Sequence, residues 1–272
     1  MVERVFPRSK SQSRLALFVG AALAVAAAVC AQSAPQAAPA QPLAYEVVSI
    51  KPHQASADDG MWWRYTPDGF STSGTPLKNL IMGAYELIMP DQLSGLPGWA
   101  DSDPFDIQAK MDEDAAAAFQ KLPLKEQRHR HDLMLQSMLA DRFQLKVHHE
   151  VRELPVYDLV IAKDGLKMKQ AVADPRSGWV MYDNRIFGKS VPIDSFSDNL
   201  SNVVGRIVID KTGLKGNYAV ALKWTPDGQQ ETADSGPGIF AALQEQLGLK
   251  LVPAKGPVDT IVVDRVEKPS PN

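Results

Sequence analysis

Leu139-Ala-Asp-Arg-Phe-Gln-Leu-Lys-Val147, followed by Pro155-Val-Tyr-Asp-Leu-Val-Ile161, has a counterpart later in the chain. The counterpart is Leu243-Gln-Glu-Gln-Leu-Gly-Leu-Lys-Leu251, followed by Pro257-Val-Asp-Thr-Ile-Val-Val263. Each reads as the end of a helix, a strand, a turn and a second strand, the second turn being two residues shorter. Phe143, Leu145 and Val147 alternate with Gln144, Lys146 and His148, as a half-buried strand requires. Tyr157, Leu159 and Ile161 line one face of the strand after the turn.

Working outward, the upstream halves match as well. Gly69-Phe-Ser-Thr-Ser-Gly-Thr-Pro-Leu-Lys-Asn-Leu80 resembles Arg185-Ile-Phe-Gly-Lys-Ser-Val-Pro-Ile-Asp-Ser-Phe196. In both, a strand runs into a proline that opens a helix, a position proline favours. Leu77, Leu80, Ile81, Ala84, Tyr85 and Ile88 recur at helical spacing. So do Ile193, Phe196, Leu200 and Val203, and again Phe240, Leu243 and Leu247. The pattern predicts an α+β protein of two tandem related lobes. Each has the order strand–helix–strand–strand–helix–strand–strand, with mainly antiparallel sheets because consecutive strands share short turns. The first lobe is placed at 44–163, the connector at 164–177, the second lobe at 178–268 and a tail at 269–272. The competing reading is that helix–hairpin units resemble one another in any α+β protein.

The N-terminus reads as an export leader over 1–31. Arg4, Arg8, Lys10 and Arg14 precede an apolar run from Leu15 to Val29, and Val29-Cys-Ala31 offers small-residue cleavage. That run is too short for a membrane span of about 20 residues. Cys30 read as a lipobox cysteine would be acylated, but Ala27 and Val29 depart from that motif. Cleavage near Ala31 instead leaves a chain without cysteine, held by its hydrophobic core. Residues 32–43 are rich in Ala, Pro and Gln and read as a flexible tether. The expectation is a periplasmic or secreted protein with no transmembrane segment in the mature chain.

The chain has 29 Lys and Arg against 32 Asp and Glu, a net charge of −3. That balance, without a basic stripe interleaved with aromatics, argues against a nucleic-acid partner.

Glu46-Val-Val-Ser-Ile-Lys-Pro52, Ser94-Gly-Leu-Pro-Gly-Trp99, Met138-Leu-Ala-Asp-Arg-Phe-Gln-Leu-Lys146, Arg152-Glu-Leu-Pro-Val-Tyr157 and Asp210-Lys-Thr-Gly-Leu-Lys-Gly216 occur in this order. With Ile239-Phe-Ala-Ala-Leu-Gln-Glu-Gln-Leu-Gly-Leu-Lys250, they resemble a large acidobacterial family of secreted proteins known only as a domain of unknown function. The resemblance implies class and compartment but no mechanism. Each repeat is more weakly similar to the short N-terminal domain of secretins and TonB-dependent receptors, small α+β modules that bind periplasmic partners.

Candidate chemistry is sparse. Asp101, Asp103 and Asp106 follow Trp99, and carboxylates beside an aromatic platform suit glycoside hydrolysis. The same spacing suits a loop leading into a strand. His129 and His131 fall on different faces of a helix, and His148 and His149 on opposite faces of a strand. No metal or cofactor pattern emerges. Trp62, Trp63, Arg64 and Tyr65 have the composition of a binding hot spot, with one tryptophan turned outward. Arg152 and Glu153 frame the expected hairpin turn and offer a polar edge.

The expected function is an exported, non-enzymatic binding module of the bacterial cell envelope, its partner an unknown envelope protein or peptide. The alternative is an envelope hydrolase using the 101–106 loop.

Overall fold

The computed structural model describes residues 44–54, 60–174, 179–226, 228 and 236–269. The expected leader 1–31 and tether 32–43 lie outside the described residues. In the first half, strands β1 (Val47–Pro52), β2 (Trp62–Thr66) and β3 (Gly69–Pro76) lead into helix α1 (Leu77–Ala84). Short strand β4 (Leu93–Ser94), helix α2 (Trp99–Ser102), strand β5 (Pro104–Lys110), helices α3 (Glu113–Phe119) and α4 (Leu124–Arg142), and long strand β6 (Lys146–Ile161) follow. The second half comprises β7 (Lys169–Ala171), β8 (Trp179–Tyr182), β9 (Arg185–Pro192), α5 (Ile193–Val204), β10 (Val208–Asp210) and β11 (Asn217–Lys223). It ends with α6 (Ile239–Ala242), continued by a π turn (Leu243–Leu247), and long strand β12 (Leu249–Arg265).

The protein is mixed α and β, with three mostly antiparallel sheets. Their orders are β1-β5-β3-β2, β10-β6-β12-β4 and β7-β11-β9-β8. Adding six to each strand number of the first sheet reproduces the third. The register also slips at matching places, between Thr72 and Thr75 of β3 and between Gly188 and Val191 of β9. Helices α1 and α5 both start directly after a proline, Pro76 and Pro192, whose fixed φ suits a helix entry. α1 buries Leu77, Leu80, Ile81 and Ala84, and α5 buries Ile193, Phe196 and Leu200.

The expected hairpins at the end of each half do not exist. Lys146–Ile161 is one strand of 16 residues and Leu249–Arg265 one of 17. They pair with each other antiparallel along their length, from Leu249 opposite Ile161 to Val263 opposite Val147. What reads as two local turns is one ribbon shared by both halves. The prolines explain the error. Tyr157 turns its N–H to Ile207 O at 2.8 Å, so its backbone faces β10 rather than β12. Pro155 lies two residues away on the same side, and Pro253 and Pro257 face Tyr157 and Glu153. All three prolines therefore point their nitrogens away from the pairing edge, where a missing N–H costs no ladder bond. His148 to Leu154 contains no glycine or asparagine to turn the chain.

Two further differences concern strands. The order within each half is not the expected one, because two strands precede each strand–helix unit and a single strand closes it. Strand β7 falls inside the stretch read as a connector.

The ribbon divides the interior. Phe143, Leu145, Val147 and Val263 join a core with Phe70, Leu77, Leu80, Ile107 and Leu139. Leu159, Leu249 and Leu251 join a second with Ile186, Phe196, Leu200, Val220 and Leu243. Each core thus takes one end of β6 and the opposite end of β12. Short strands flank the ribbon in parallel, β10 against Tyr157–Leu159 and β4 against Ile261–Val262.

Candidate functional site

Strands β8 and β9 are joined by two residues, Asp183 and Asn184, with φ of 45° and 57°. Both lie in the left-handed region that tight hairpin turns demand and that Asp and Asn tolerate. Asn184 O accepts from Trp224 N at 3.1 Å, which ties the turn to the end of β11. Between this turn, the C-terminal end of α5 and the start of α6 lies an open groove of about 580 Å³. Its lining includes Tyr157, Met181, Tyr182, Trp224, Ile239 and Phe240, with Asn184, Asn202 and Thr225 supplying neutral polar groups. Met181, Tyr182 and Phe240 are exposed, whereas Trp224 is buried as the floor. Tyr157 packs edge-on against Phe240 at 5.5 Å, and Arg206 lies over the Tyr157 ring at 4.8 Å. An apolar floor, aromatic walls and amide rims have the chemistry to hold an apolar or aromatic group and orient it by hydrogen bonds.

These residues escaped the sequence reading for identifiable reasons. Phe240 fits the helical pattern of Leu243 and Leu247, yet it is exposed, and Ile239 takes the inward position. Tyr157 shares a strand face with Leu159 but is only half-buried. The available signal was Tyr182-Asp-Asn-Arg185, a two-residue hairpin flanked by large side chains.

The sequence-derived candidates fall in several places. In β2, Trp62 and Arg64 turn outward, with the guanidinium 5.8 Å from the Trp62 ring centre. Trp63 and Tyr65 turn inward, Trp63 against Phe70 at 4.7 Å and Tyr65 stacked on His131 at 4.3 Å. Arg152 and Glu153 frame no turn; they sit mid-ribbon, and Arg152 pairs with Glu150 at 2.6 Å.

The three carboxylates each engage different partners. Asp101, on α2 rather than in a loop, meets Lys78 at 3.1 Å, and Asp103 meets Lys268 at 2.7 Å. Asp106 accepts from Ser73 Oγ at 2.7 Å, Gly74 N at 3.0 Å and the His53 ring at 2.8 Å. Burial pushes the Asp106 carboxyl up, but the donors Ser73, Gly74 and His53 outweigh it and hold it below the usual carboxylate range. Ser, His and Asp meet here without the relay a nucleophile needs. Ser73 donates to the carboxylate, and both serine and carboxylate approach the same nitrogen, His53 Nδ1.

A second buried polar group lies in the first half. His131 is 5% exposed, flanked by Tyr65 and by Phe119 at 4.6 Å, and its Nδ1 lies 3.4 Å from Tyr45 Oη. Burial pushes its pKa down to about 4. Burial also raises the Tyr45 and Tyr65 hydroxyls, so both stay protonated beside the neutral imidazole, and Tyr45 Oη and His131 Nδ1 share one hydrogen bond. His148 meets Asp264 at 2.9 Å on the exposed ribbon. Among the described residues, no His, Cys, Asp and Glu cluster has the makings of a metal site. No described helix is long and apolar enough to cross a membrane.

Searches of curated proteins and of solved structures returned no match. A family model, that of the proteins of unknown function DUF3738, matches residues 78–266. The match runs from the first turn of α1 to just past β12, and so encloses both ends of the shared ribbon. The chain belongs to the DUF3738 family of proteins of unknown function.

Proposed function

We propose that this protein is an exported, non-enzymatic binding module of the bacterial cell envelope, and that it captures an apolar or aromatic segment of an envelope protein or peptide. The observation that carries this reading is the groove beneath the β8–β9 turn. Exposed Met181, Tyr182 and Phe240 stand over a buried Trp224, with amide groups at the rim. Rigid aromatic side chains lose little conformational freedom on binding and commonly anchor recognition. The leader-like residues 1–31 support export. The matched strand orders and register slips of the two halves support their descent from one duplicated unit.

Photo-crosslinking in the native host tests the proposal. A photoreactive phenylalanine analogue replaces Phe240 in one strain and Gln108, on the opposite half, in another. The reading expects one defined adduct from position 240, lost when Tyr157→Ala is added. It is overturned if both positions give the same adducts, or if the purified protein turns over envelope glycans or peptides catalytically.

A further inference from the structure

The outer faces of the β1-β5-β3-β2 and β7-β11-β9-β8 sheets differ along their central row. In the first, the row across the sheet is Arg64–Ser71–Gln108–Ser49, polar throughout. The matching row of the β7-β11-β9-β8 sheet is Val180–Phe187–Ala221. Val180 and Phe187 are about half exposed, at 51% and 54%. A cationic row flanks this apolar row on each side. One holds Lys223 and Arg185 next to Tyr182. The other holds Lys169 beside Ala219, with Lys189 where the register slips between Tyr218 and Val220. Strand geometry puts the rows roughly 7 Å apart. The outward strand positions carry no acid; Asp174 and Asp183 lie in connections beyond the strand ends. No ion pair among the described residues involves Lys169, Arg185, Lys189 or Lys223. A chain with a net charge of −3 thus gathers, around exposed apolar side chains, cations that form no ion pair among the described residues.

We propose that the outer face of the β7-β11-β9-β8 sheet docks on an anionic lipid bilayer surface. The cations meet lipid phosphates, while Val180 and Phe187 enter the boundary between headgroups and acyl chains. A nucleic-acid strand fits the face less well. Sheet platforms for bases present rings on neighbouring strands, whereas two of the three side chains in this row are aliphatic and offer no surface for stacking. The proposal goes beyond the groove, whose lining includes neither Val180 nor any of the four cations.

Vesicle sedimentation of the full chain tests it, with every variant carrying the same N-terminus so that the Leu15–Val29 run contributes equally. Vesicles of phosphatidylcholine are compared with vesicles in which about a third of the lipid is phosphatidylglycerol, at rising salt. The expected result is stronger partitioning onto the anionic vesicles, weakening as salt rises. Lys189→Gln lowers it about fivefold and Lys189→Glu further, the effect of one cation near a charged bilayer. Phe187→Ser lowers it with little change in salt dependence. Lys51→Glu, on the outer face of the first sheet, leaves it unchanged. Thermal unfolding of each variant verifies folding, and Lys169→Glu on the edge strand serves if Lys189→Glu fails to fold. Equal binding to neutral and anionic vesicles overturns the proposal, as does a Lys189→Glu loss no larger than that of Lys51→Glu. Tighter, Lys189-dependent binding of a single-stranded oligonucleotide at the same salt would assign the face to nucleic acid instead.

Discussion

Replacing His131 by Phe should make the protein less stable at neutral pH and more stable in acid. The native imidazole is neutral, with burial lowering its pKa from the ordinary 6.5 to about 4. Between those values the unfolded chain takes up a proton that the folded chain refuses. Stability therefore rises with pH across this window, is fully present above about 6.5, and is lost as pH falls toward 4. A displacement of this size amounts to about 3 kcal/mol at the acid end, approached with a slope of at most about 1.4 kcal/mol per pH unit. Phe keeps a ring between Tyr65 and Phe119 but cannot form the hydrogen bond with Tyr45 Oη, a loss of about 1 kcal/mol that does not vary with pH. The variant should then be about 1 kcal/mol weaker at neutral pH and about 2 kcal/mol stronger near pH 4. Burial raises the carboxyl of neighbouring Asp132, which has the opposite sign of pH dependence. Both chains retain it, so it cancels in the difference. Urea unfolding followed by tryptophan fluorescence at a series of pH values, with equal denaturant slopes, measures that difference. A stability difference that stays constant from neutral pH to about 4 refutes the reasoning.

Other substitutions probe the ribbon and its ends. Gly248 has φ +68°, and an added Cβ would lie 2.0 Å from Gly165 O, so Gly248→Ala should cost at least about 2 kcal/mol in chemical denaturation. Leu159→Ala, near the end of β6, and Phe143→Ala, just before its start, empty fully buried sites in different cores. Each should cost about 2–5 kcal/mol, and their double mutant should be additive within about 0.5 kcal/mol if the cores are energetically separate. Arg152→Ala removes an exposed pair with Glu150, and its unfolding midpoint should move by no more than about 1 kcal/mol of stability allows.

Much of this architecture was legible because apolar period dictates element type. The α1 and α5 patterns led directly to buried Leu77, Leu80, Phe196 and Leu200. The alternation of Trp62 to Tyr65 placed one tryptophan outside and one inside. What remained hidden was non-local. Strand period is the same whether a segment folds back on itself or pairs with a distant partner, so Lys146–Ile161 gave no local sign that its partner lay beyond Gly248. Proline was the misleading cue, since its cost depends on which edge its nitrogen faces, and only the register decides that. The groove was hidden for the same reason: Tyr157, Phe240 and Tyr182 come from three distant segments and meet only in the folded chain.

The shared ribbon also dictates how the molecule must be assembled. Val263, near the end of the chain, packs in the same core as Phe70 and Leu77, whereas Leu159, which precedes the rest of the later core in sequence, completes that core. A partly synthesised or partly delivered chain ending before β12 therefore lacks a wall for its first core, however much of that core's own sequence is present. Closing it spans most of the chain length, and contacts of that separation form slowly because loop closure must precede them. Until then the outer edge of β6 is open to any extended segment. A second chain caught at the same stage offers the matching β12, so the feature that joins the two halves also opens a route to intertwined dimers when folding chains are crowded.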